Sequence, residues 1–289
     1  MDNIYFIIVL VLLGLAALDL VVGVANDAVN FLNSSIGSKV APLWVILTVA
    51  SVGILIGSLF SSGMMEIARS GVFHPGMFTF PQIMMLFLAV MVTDVILLDV
   101  FNTFGLPTST TVSLVFELLG AAVAVALFNI WQTDSGVLID YINSGKALTI
   151  ISGILVSVVI AFAFGSFIMW ISRVIFSFKY KKTFKYAGAI WAGLALTSIT
   201  YFAIFKGLKN STIMSKDTLN YIHDNIWLVL TYILLGWTVL MAILQHIFKV
   251  NILKIIILAG TSALALAFAG NDLVNFIGVF MAGLSSYEI

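Results

Sequence analysis

The stretch IYFIIVLVLLGLAALDLVVGVANDAVNF, residues 4–31, decides the fold class of this chain. Up to residue 25 its only charged side chain is that of Asp19. A helix of roughly 20 apolar residues is long enough to cross the hydrocarbon core of a bilayer. The stretch therefore predicts a transmembrane helix, and the polar cluster Asn26, Asp27 and Asn30 that follows it requires an explanation.

The composition of the whole chain agrees with this start. Of 289 residues, 62% are hydrophobic and 9% are charged, and the mean hydropathy is +1.17. Soluble domains carry about 25% charged residues, so the sequence predicts an integral membrane protein. The balance of 13 basic and 13 acidic residues argues against nucleic acid as a partner, and the lack of cysteine excludes disulfides and thiolate chemistry.

Several further segments are as apolar as the first. Because they are continuous runs rather than short alternating strands, they predict an all-α polytopic helical bundle and not a β-barrel. We count eight: 4–25, 41–62, 82–103, 108–128, 147–172, 188–205, 225–247 and 252–282.

Basic residues predict the orientation of these segments, since cytoplasmic loops are enriched in Lys and Arg. The loop 173–186 is the most basic and is predicted to be cytoplasmic. If all eight segments cross, eight basic residues lie inside and five outside. If 108–128 is a re-entrant hairpin instead, the count is the same, so charge leaves both topologies open.

The polar cluster occurs twice. ANDAVNFL at 25–32 and GNDLVNFI at 270–277 are identical at five of eight positions. Carboxylates within the bilayer are costly and normally line a polar cavity or an ion path, although an interhelical clamp is the alternative. Paired polar breaks in two related segments are typical of a transporter's central site. The residues concerned are Asn26, Asp27, Asn30, Asn271, Asp272 and Asn275.

A second polar stretch is FGLPTSTTVS, residues 104–113. Gly105 and Pro107 prevent a continuous helix, and Pro suits the first position of a new one. A helix N-terminus with adjacent hydroxyls can bind an anion; a simple capped helix start is the alternative. The hydroxyls belong to Ser109, Thr110 and Thr111.

The remaining intramembrane acids are candidates for a proton relay or for pairing between helices: Asp19, Asp94, Asp99 and Glu117. The three histidines are scattered and show no metal-ligand spacing. The sequence contains no nucleophile triad, phosphate-binding glycine loop or HExxH motif, so it does not predict an enzyme.

Three stretches carry a family resemblance: GVANDAVNFLNSSIGS, GLPTSTT and AFAGNDLVNFIG. They resemble the signatures of the inorganic phosphate transporter family, in which a duplicated G-A-N-D-V-A-N-type motif opens each of two inverted repeats and precedes a P-x-S-T-T segment. The resemblance implies a first repeat over 1–172, with motif 23–31 and hydroxyl loop 105–111, connecting spans over 173–250, and the start of a second repeat over 251–289.

Two features depart from the family pattern. Val112 stands where the family often has His after S-T-T, so a role for that His is absent here. A second P-x-S-T-T segment does not follow the second motif. We therefore expect a missing C-terminal part of the same chain, and we do not expect residues 1–289 to transport alone.

The resemblance and the chemistry of the side chains together give an expected function. It is a secondary active transporter that imports inorganic phosphate by alternating access, coupled to Na⁺ or H⁺, in the plasma membrane, without an organic cofactor and with a homodimer as a candidate assembly. Phosphate carries about −1.5 charge near neutral pH, so the carboxylates require a cation beside it. The expected Na⁺ ligands are Asp27, Asp272, Asn30 and Asn275, and the expected phosphate ligands are Asn26, Asn30, Ser109, Thr110, Thr111, Asn271 and Asn275.

Other functions remain open from the sequence. A permease for another oxyanion, such as sulfate, would use the same scaffold. An ion channel or a structural membrane subunit without transport activity would also be polytopic, and a membrane enzyme has the least support.

Overall fold

The computed structural model describes residues 2–59, 71–177, 180–202 and 216–288, and these are almost entirely helical. Over those ranges the only β pairing is an isolated bridge between Phe73 and Ile142, and a 3₁₀ turn covers Pro75–Met77. The predicted all-α architecture is confirmed. The helices are α1 Asp2–Gly37, α2 Leu43–Leu59, α3 Phe80–Phe104, α4 Thr110–Thr133, α5 Leu138–Tyr141, α6 Ser144–Ile175, α7 Tyr180–Phe202, α8 Lys216–Asp224, α9 Ile226–His246, α10 Ile252–Asn271 and α11 Leu273–Tyr287.

Six stretches of helix in the described ranges are long and apolar enough to cross a membrane, so the chain is a multi-pass membrane protein. The described parts of the eight predicted segments are almost entirely helical, but α2 has only 17 described residues and the first turns of α7 contain three lysines. Since α4 is one uninterrupted helix of 24 residues, its length favours crossing over a re-entrant hairpin. The six stretches are Ile4–Gly37, Phe80–Phe104, Thr110–Thr133, Ser144–Ile175, Ile226–His246 and Ile252–Tyr287.

The helices form two compact units that interleave along the chain. Unit 1 contains the described residues of 1–29, 63–157 and 271–289, and unit 2 contains those of 30–62 and 158–270. Neither unit corresponds to a single stretch of sequence, and the predicted division into repeats at 172 and 250 stays a prediction.

In unit 1, α3 and α4 pack against each other and α11 packs against both. The first part of α1 contributes a buried stripe whose members are three or four residues apart, the spacing of one helix face. Its first members are apolar, whereas its last members are polar or small and lead into the motif. The stripe consists of Val9, Leu12, Ala16, Asp19, Gly23 and Asn26.

In unit 2, small residues allow close helix packing. A Cβ atom at Gly53 or Gly57 of α2 would overlap backbone atoms of α10, so these two positions let the helices approach closely. Ser35 donates or accepts a hydrogen bond with Thr261 of α10 in the same unit. Helices α7 and α9 also pack against each other there.

The structure corrects two local predictions. The basic segment 173–186 is not a loop over its whole length, because α6 ends at Ile175 and α7 begins at Tyr180. The helix after Pro107 begins at Thr110, three residues later than the proline suggests.

Candidate functional site

The link between α3 and α4 ends one helix sharply. Gly105 adopts a left-handed conformation with φ of +65°, which L-residues with a side chain rarely adopt. Its N–H donates to the carbonyl of Asn102 at 3.0 Å, and the N–H of Leu106 donates to that of Phe101 at 2.9 Å. These bonds satisfy the last carbonyls of α3, and the break predicted at Gly105 is confirmed.

The same link begins the next helix. Ser109 is the N-cap of α4, and its hydroxyl accepts from the N–H of Val112 at 3.4 Å. The other N–H groups of the first turn have no partner inside the helix, so this end carries the positive part of the helix dipole. Ser109 therefore caps the helix, as the alternative prediction states. The N–H groups of the first turn can still bind an anion.

Asn26 of the first motif holds this link in place. Its Nδ2 donates to Oδ1 of Asn102 at 2.8 Å and to the carbonyl of Leu106 at 3.2 Å, and its Oδ1 accepts from the N–H of Thr108 at 3.0 Å. Asn102 in turn donates to the carbonyl of Val22 at 2.9 Å. The amide of Asn26 therefore uses both donors and its acceptor on the link and on α3.

The second motif also meets the link. The helix is interrupted at Asp272, between α10 and α11. Thr111 donates its hydroxyl to Oδ1 of Asp272 at 2.9 Å and accepts from Nδ2 of Asn275 at 2.8 Å. One hydroxyl thus joins the start of α4 to a carboxylate and an amide of the second motif.

The two motif segments touch through a glycine. A Cβ atom at Gly23 would overlap the ring of Phe276, the residue after Asn275. Only a glycine lets α1 and α11 approach this closely. The duplicated segments are therefore neighbours, as the hypothesis of two half-sites requires.

The other predicted site residues differ in exposure. Asp27 is buried, whereas Asn30 is exposed although it was expected on the same polar face. Thr110 is buried, with a hydroxyl that has no hydrogen-bond partner in the described part of the chain, and Ser109 is exposed. The side chain of Asn271 lies outside what the structure describes.

The four candidate relay acids separate into two groups. Asp19 and Asp94 are buried, and both side-chain oxygens of Glu117 are hidden from solvent. Asp99 is exposed on α3. Three of the four acids are therefore hidden inside unit 1, whereas Asp99 of the same unit is exposed.

Asn102 is a site residue that the sequence did not reveal. It belongs to no motif and is a lone amide near the end of an apolar helix, where an interfacial position is the ordinary expectation. Only the three-dimensional contact with Asn26 identifies it. The spacing of Asn102 before Gly105 was its one available signal, since a polar residue next to a helix break can contact the exposed backbone.

Three comparisons of this chain with known proteins agree with this geometry. A solved structure described as the sodium-dependent phosphate transporter matches with a TM-score of 0.68 and 18% identity, over 97% of this chain and 67% of that one; this likeness shows the fold. A protein named "Putative phosphate permease" from Thermococcus kodakarensis is 28% identical over 124 residues, 42% of this chain and 30% of that protein. The chain thus spans less than a third of the length of that relative.

The family comparison covers nearly the whole chain. The model of the phosphate transporter family matches residues 23–288, from the first glycine of the first motif to the residue before the last. The members of this family are transporters and not enzymes, as the missing catalytic motifs predict. The chain belongs to the phosphate transporter family.

Proposed function

We propose that this chain transports inorganic phosphate and binds it in unit 1, where the α3–α4 link meets the two motif segments. The observation that carries the proposal is the hydroxyl of Thr111, which contacts both Asp272 and Asn275 of the second motif. The names of the two similar proteins, a sodium-dependent phosphate transporter and a phosphate permease, support the choice of substrate.

Neutral donors are the phosphate ligands in this proposal. The first turn of α4 offers N–H groups and the dipole of a helix N-terminus. The buried hydroxyl of Thr110 has no partner among the described residues and is free to donate to an anion. Ser109, Asn271 and Asn275 complete the proposed donor set. Thr111 has a different role, because its only hydroxyl hydrogen is donated to Asp272, so it positions that carboxylate. Asn26 contributes by shaping the link, since its amide already bonds to it.

Carboxylates are the cation ligands in this proposal. Asp27 and Asp272 supply the negative charge that Na⁺ requires, and the side-chain oxygen of Asn275 is a further hard ligand. None of the described hydrogen bonds of Asp272 or Asn275 comes from Lys or Arg. A dianion beside these carboxylates would be repelled unless a cation bound with it. Sodium and phosphate should therefore raise each other's affinity by the same factor.

The transport cycle that follows is alternating access in the plasma membrane, driven by the sodium gradient. A proton on Asp27 or Asp272 would perform the same electrostatic task, and the experiment distinguishes the two ions. A permease for sulfate is the second outcome that the experiment can reveal.

Uptake of labelled phosphate into proteoliposomes that contain the full-length protein tests the proposal. We expect saturable uptake with an inward sodium gradient and much less with potassium in its place. Excess unlabelled phosphate should abolish the uptake and excess sulfate should not. Equal competition by sulfate, or uptake indifferent to sodium but driven by a proton gradient, would contradict the corresponding part of the proposal.

A further inference from the structure

A second polar cluster lies inside unit 1 and begins one helical turn after the hydroxyls of the link. It combines Asp19 of α1, Asp94 of α3, and Ser113 and Glu117 of α4. Asp19 is 0% exposed and Asp94 is 2% exposed, and both oxygens of Glu117 are hidden from solvent. The sequence places these residues far apart, and the packing of three helices brings them together.

The carboxyl groups of Asp19 and Glu117 receive no hydrogen bond from a described residue. The carboxyl groups of Asp19, Asp94 and Glu117 are buried in the same part of unit 1, near enough for their charges to interact. Two ionised carboxylates can only accept, so they cannot hydrogen-bond to each other without a proton between them.

Ser113 shows the same deficit independently. Its hydroxyl lies 3.0 Å from Oδ1 of Asp94 and 3.0 Å from the carbonyl of Thr110. A hydroxyl has one hydrogen and two acceptors cannot both receive it fully. One proton on the Asp19–Asp94 pair has two possible positions. On Asp94 it donates to Ser113 while Ser113 donates to Thr110, and on Asp19 it donates to Asp94 while Ser113 also donates to Asp94.

The described helices that contribute to or pack beside the cluster, α1, α3, α4 and α11, contain no Lys, Arg or His. From α1 the titratable residues on this side are Asp19 and, two turns later, Asp27; from α3 and α4 they are Asp94 and Glu117. The described titratable residues at the two ends of α11 are Asp272, Tyr287 and Glu288, and none of them is basic.

We propose that Asp19 and Asp94 form a proton-binding site, with Glu117 beside it, and that its proton is exchanged during transport. Adjacent buried carboxylates cannot both be ionised without a cation, because their repulsion is strong where water is excluded. A proton can be held by the two carboxyl groups alone, whereas a metal ion requires several further oxygen ligands.

The site has a structural connection to the proposed phosphate site. Ser113 contacts Asp94 with its hydroxyl and bonds to the carbonyl of Thr110, in the first turn of α4. The next residue, Thr111, contacts Asp272. Loss of the proton from Asp94 changes the bond that Ser113 makes, and so acts on the helix start that carries the hydroxyls. This transport consequence rests on the proposed function, whereas proton binding does not.

Infrared difference spectroscopy of the purified full-length protein tests proton binding directly, through the C=O stretch of protonated carboxylic acids during a pH titration. We expect a protonated carboxyl signal at neutral pH that disappears on alkalinisation. D19N and D94N should each remove or shift it. The control D134N changes an exposed Asp at the C-terminal end of α4 and should leave it unchanged. No protonated carboxyl signal, or a signal unaffected by both variants, would overturn the proposal.

Phosphate uptake at a fixed sodium gradient then tests the exchange of the proton. The uptake rate of the wild type should change with pH by at most about tenfold per pH unit, the limit for one titrating site. D94N should lose this pH dependence, and D134N should keep it. An unchanged pH dependence in D94N overturns proton exchange. If the wild type transports no phosphate at all, the proposed function fails, and the infrared titration still decides whether the proton site exists.

Discussion

The hydroxyl of Thr111 donates to Oδ1 of Asp272 across 2.9 Å, although the two residues are separated by 161 positions in the sequence. The same hydroxyl accepts from Asn275 at 2.8 Å. A hydroxyl loop and a duplicated acidic motif are each ambiguous alone, because the first can be a capped helix start and the second an interhelical clamp. Their contact in one place favours a common site.

Replacing Thr111 by Val tests that contact. Val keeps the shape of Thr but removes both hydrogen bonds, one of them to a carboxylate, and a hydrogen bond to a charged group contributes about 1.5–3 kcal/mol. If the bond orders the bound state, we expect the KM for phosphate uptake to rise by roughly tenfold to a hundredfold.

The matched control for T111V is T93V. Thr93 is exposed on α3 and its hydroxyl bonds only to the carbonyl of Ala89 in the same helix. The KM of T93V for phosphate should stay within about twofold of the wild-type value, since such a surface substitution changes stability by little. Equal KM values for both variants would assign Thr111 to structure alone.

Asp27 should govern the cation dependence of transport. Asn has nearly the same shape as Asp but no charge, and Asp27 is 5% exposed, so D27N removes a buried negative charge without a cavity. We expect half-saturation by sodium to need at least about tenfold more sodium, equivalent to about 1.4 kcal/mol. The melting temperature in detergent should remain close to that of the wild type.

Sodium titration of phosphate uptake measures this effect, with the exposed D134N as the control. If D27N responds to sodium as the wild type does, Asp27 is not a cation ligand. If D27N instead melts far below the wild type, the charge of Asp27 serves folding.

The sequence predicted the helical membrane fold and the polar segments, but not whether each polar segment interrupts its helix. The two motifs share five of eight residues, yet α1 runs through Asn26 and Asp27 without interruption while the second helix breaks at Asp272. A local difference accounts for this. Ala25 precedes the first Asn and favours helix, whereas Gly270 precedes the second and costs about 1 kcal/mol in a helix.

Side-chain partnerships were less predictable than the helices. The periodicity of α1 placed Asn30 with Asn26 on one polar face, but Asn30 is exposed because burial depends on which helices pack there. Asn102 carried no motif, and its role depends on tertiary contacts that no local pattern encodes. The burial of Asp19 and Asp94 likewise depends on how α1 and α3 pack.

Asn102 should be required for transport beyond its effect on stability. N102A removes the acceptor for Asn26 and the donor to Val22, and each lost bond costs about 1 kcal/mol. Because Asn26 also bonds to Leu106 and Thr108, its rearrangement should loosen the α3–α4 link. We expect a lower melting temperature and an uptake rate reduced by about tenfold or more.

The variant N129A provides a comparison on the same two helices. Asn129 of α4 and Gln82 of α3 exchange two side-chain hydrogen bonds, of 2.6 and 3.3 Å, at the other end of the helix pair. N129A should lose comparable stability and keep its uptake rate. A proportional loss of uptake in both variants would reduce the role of Asn102 to folding.

The close approach of α1 and α11 predicts that Gly23 cannot be enlarged. A methyl group there overlaps the ring of Phe276, and overpacking of this kind costs about 1–3 kcal/mol. Gly14 lies on the same helix, and no atom comes within 4 Å of the position that a methyl group on it would occupy, so G14A should be neutral or should stabilise the helix slightly. Thermal unfolding in detergent should separate the two variants. F276L in the G23A background should restore part of the stability, because a smaller side chain makes room for the methyl group.

Since Phe276 follows Asn275 directly, G23A should also weaken phosphate binding. If G23A instead melts and transports like G14A, the two motif segments do not depend on this contact.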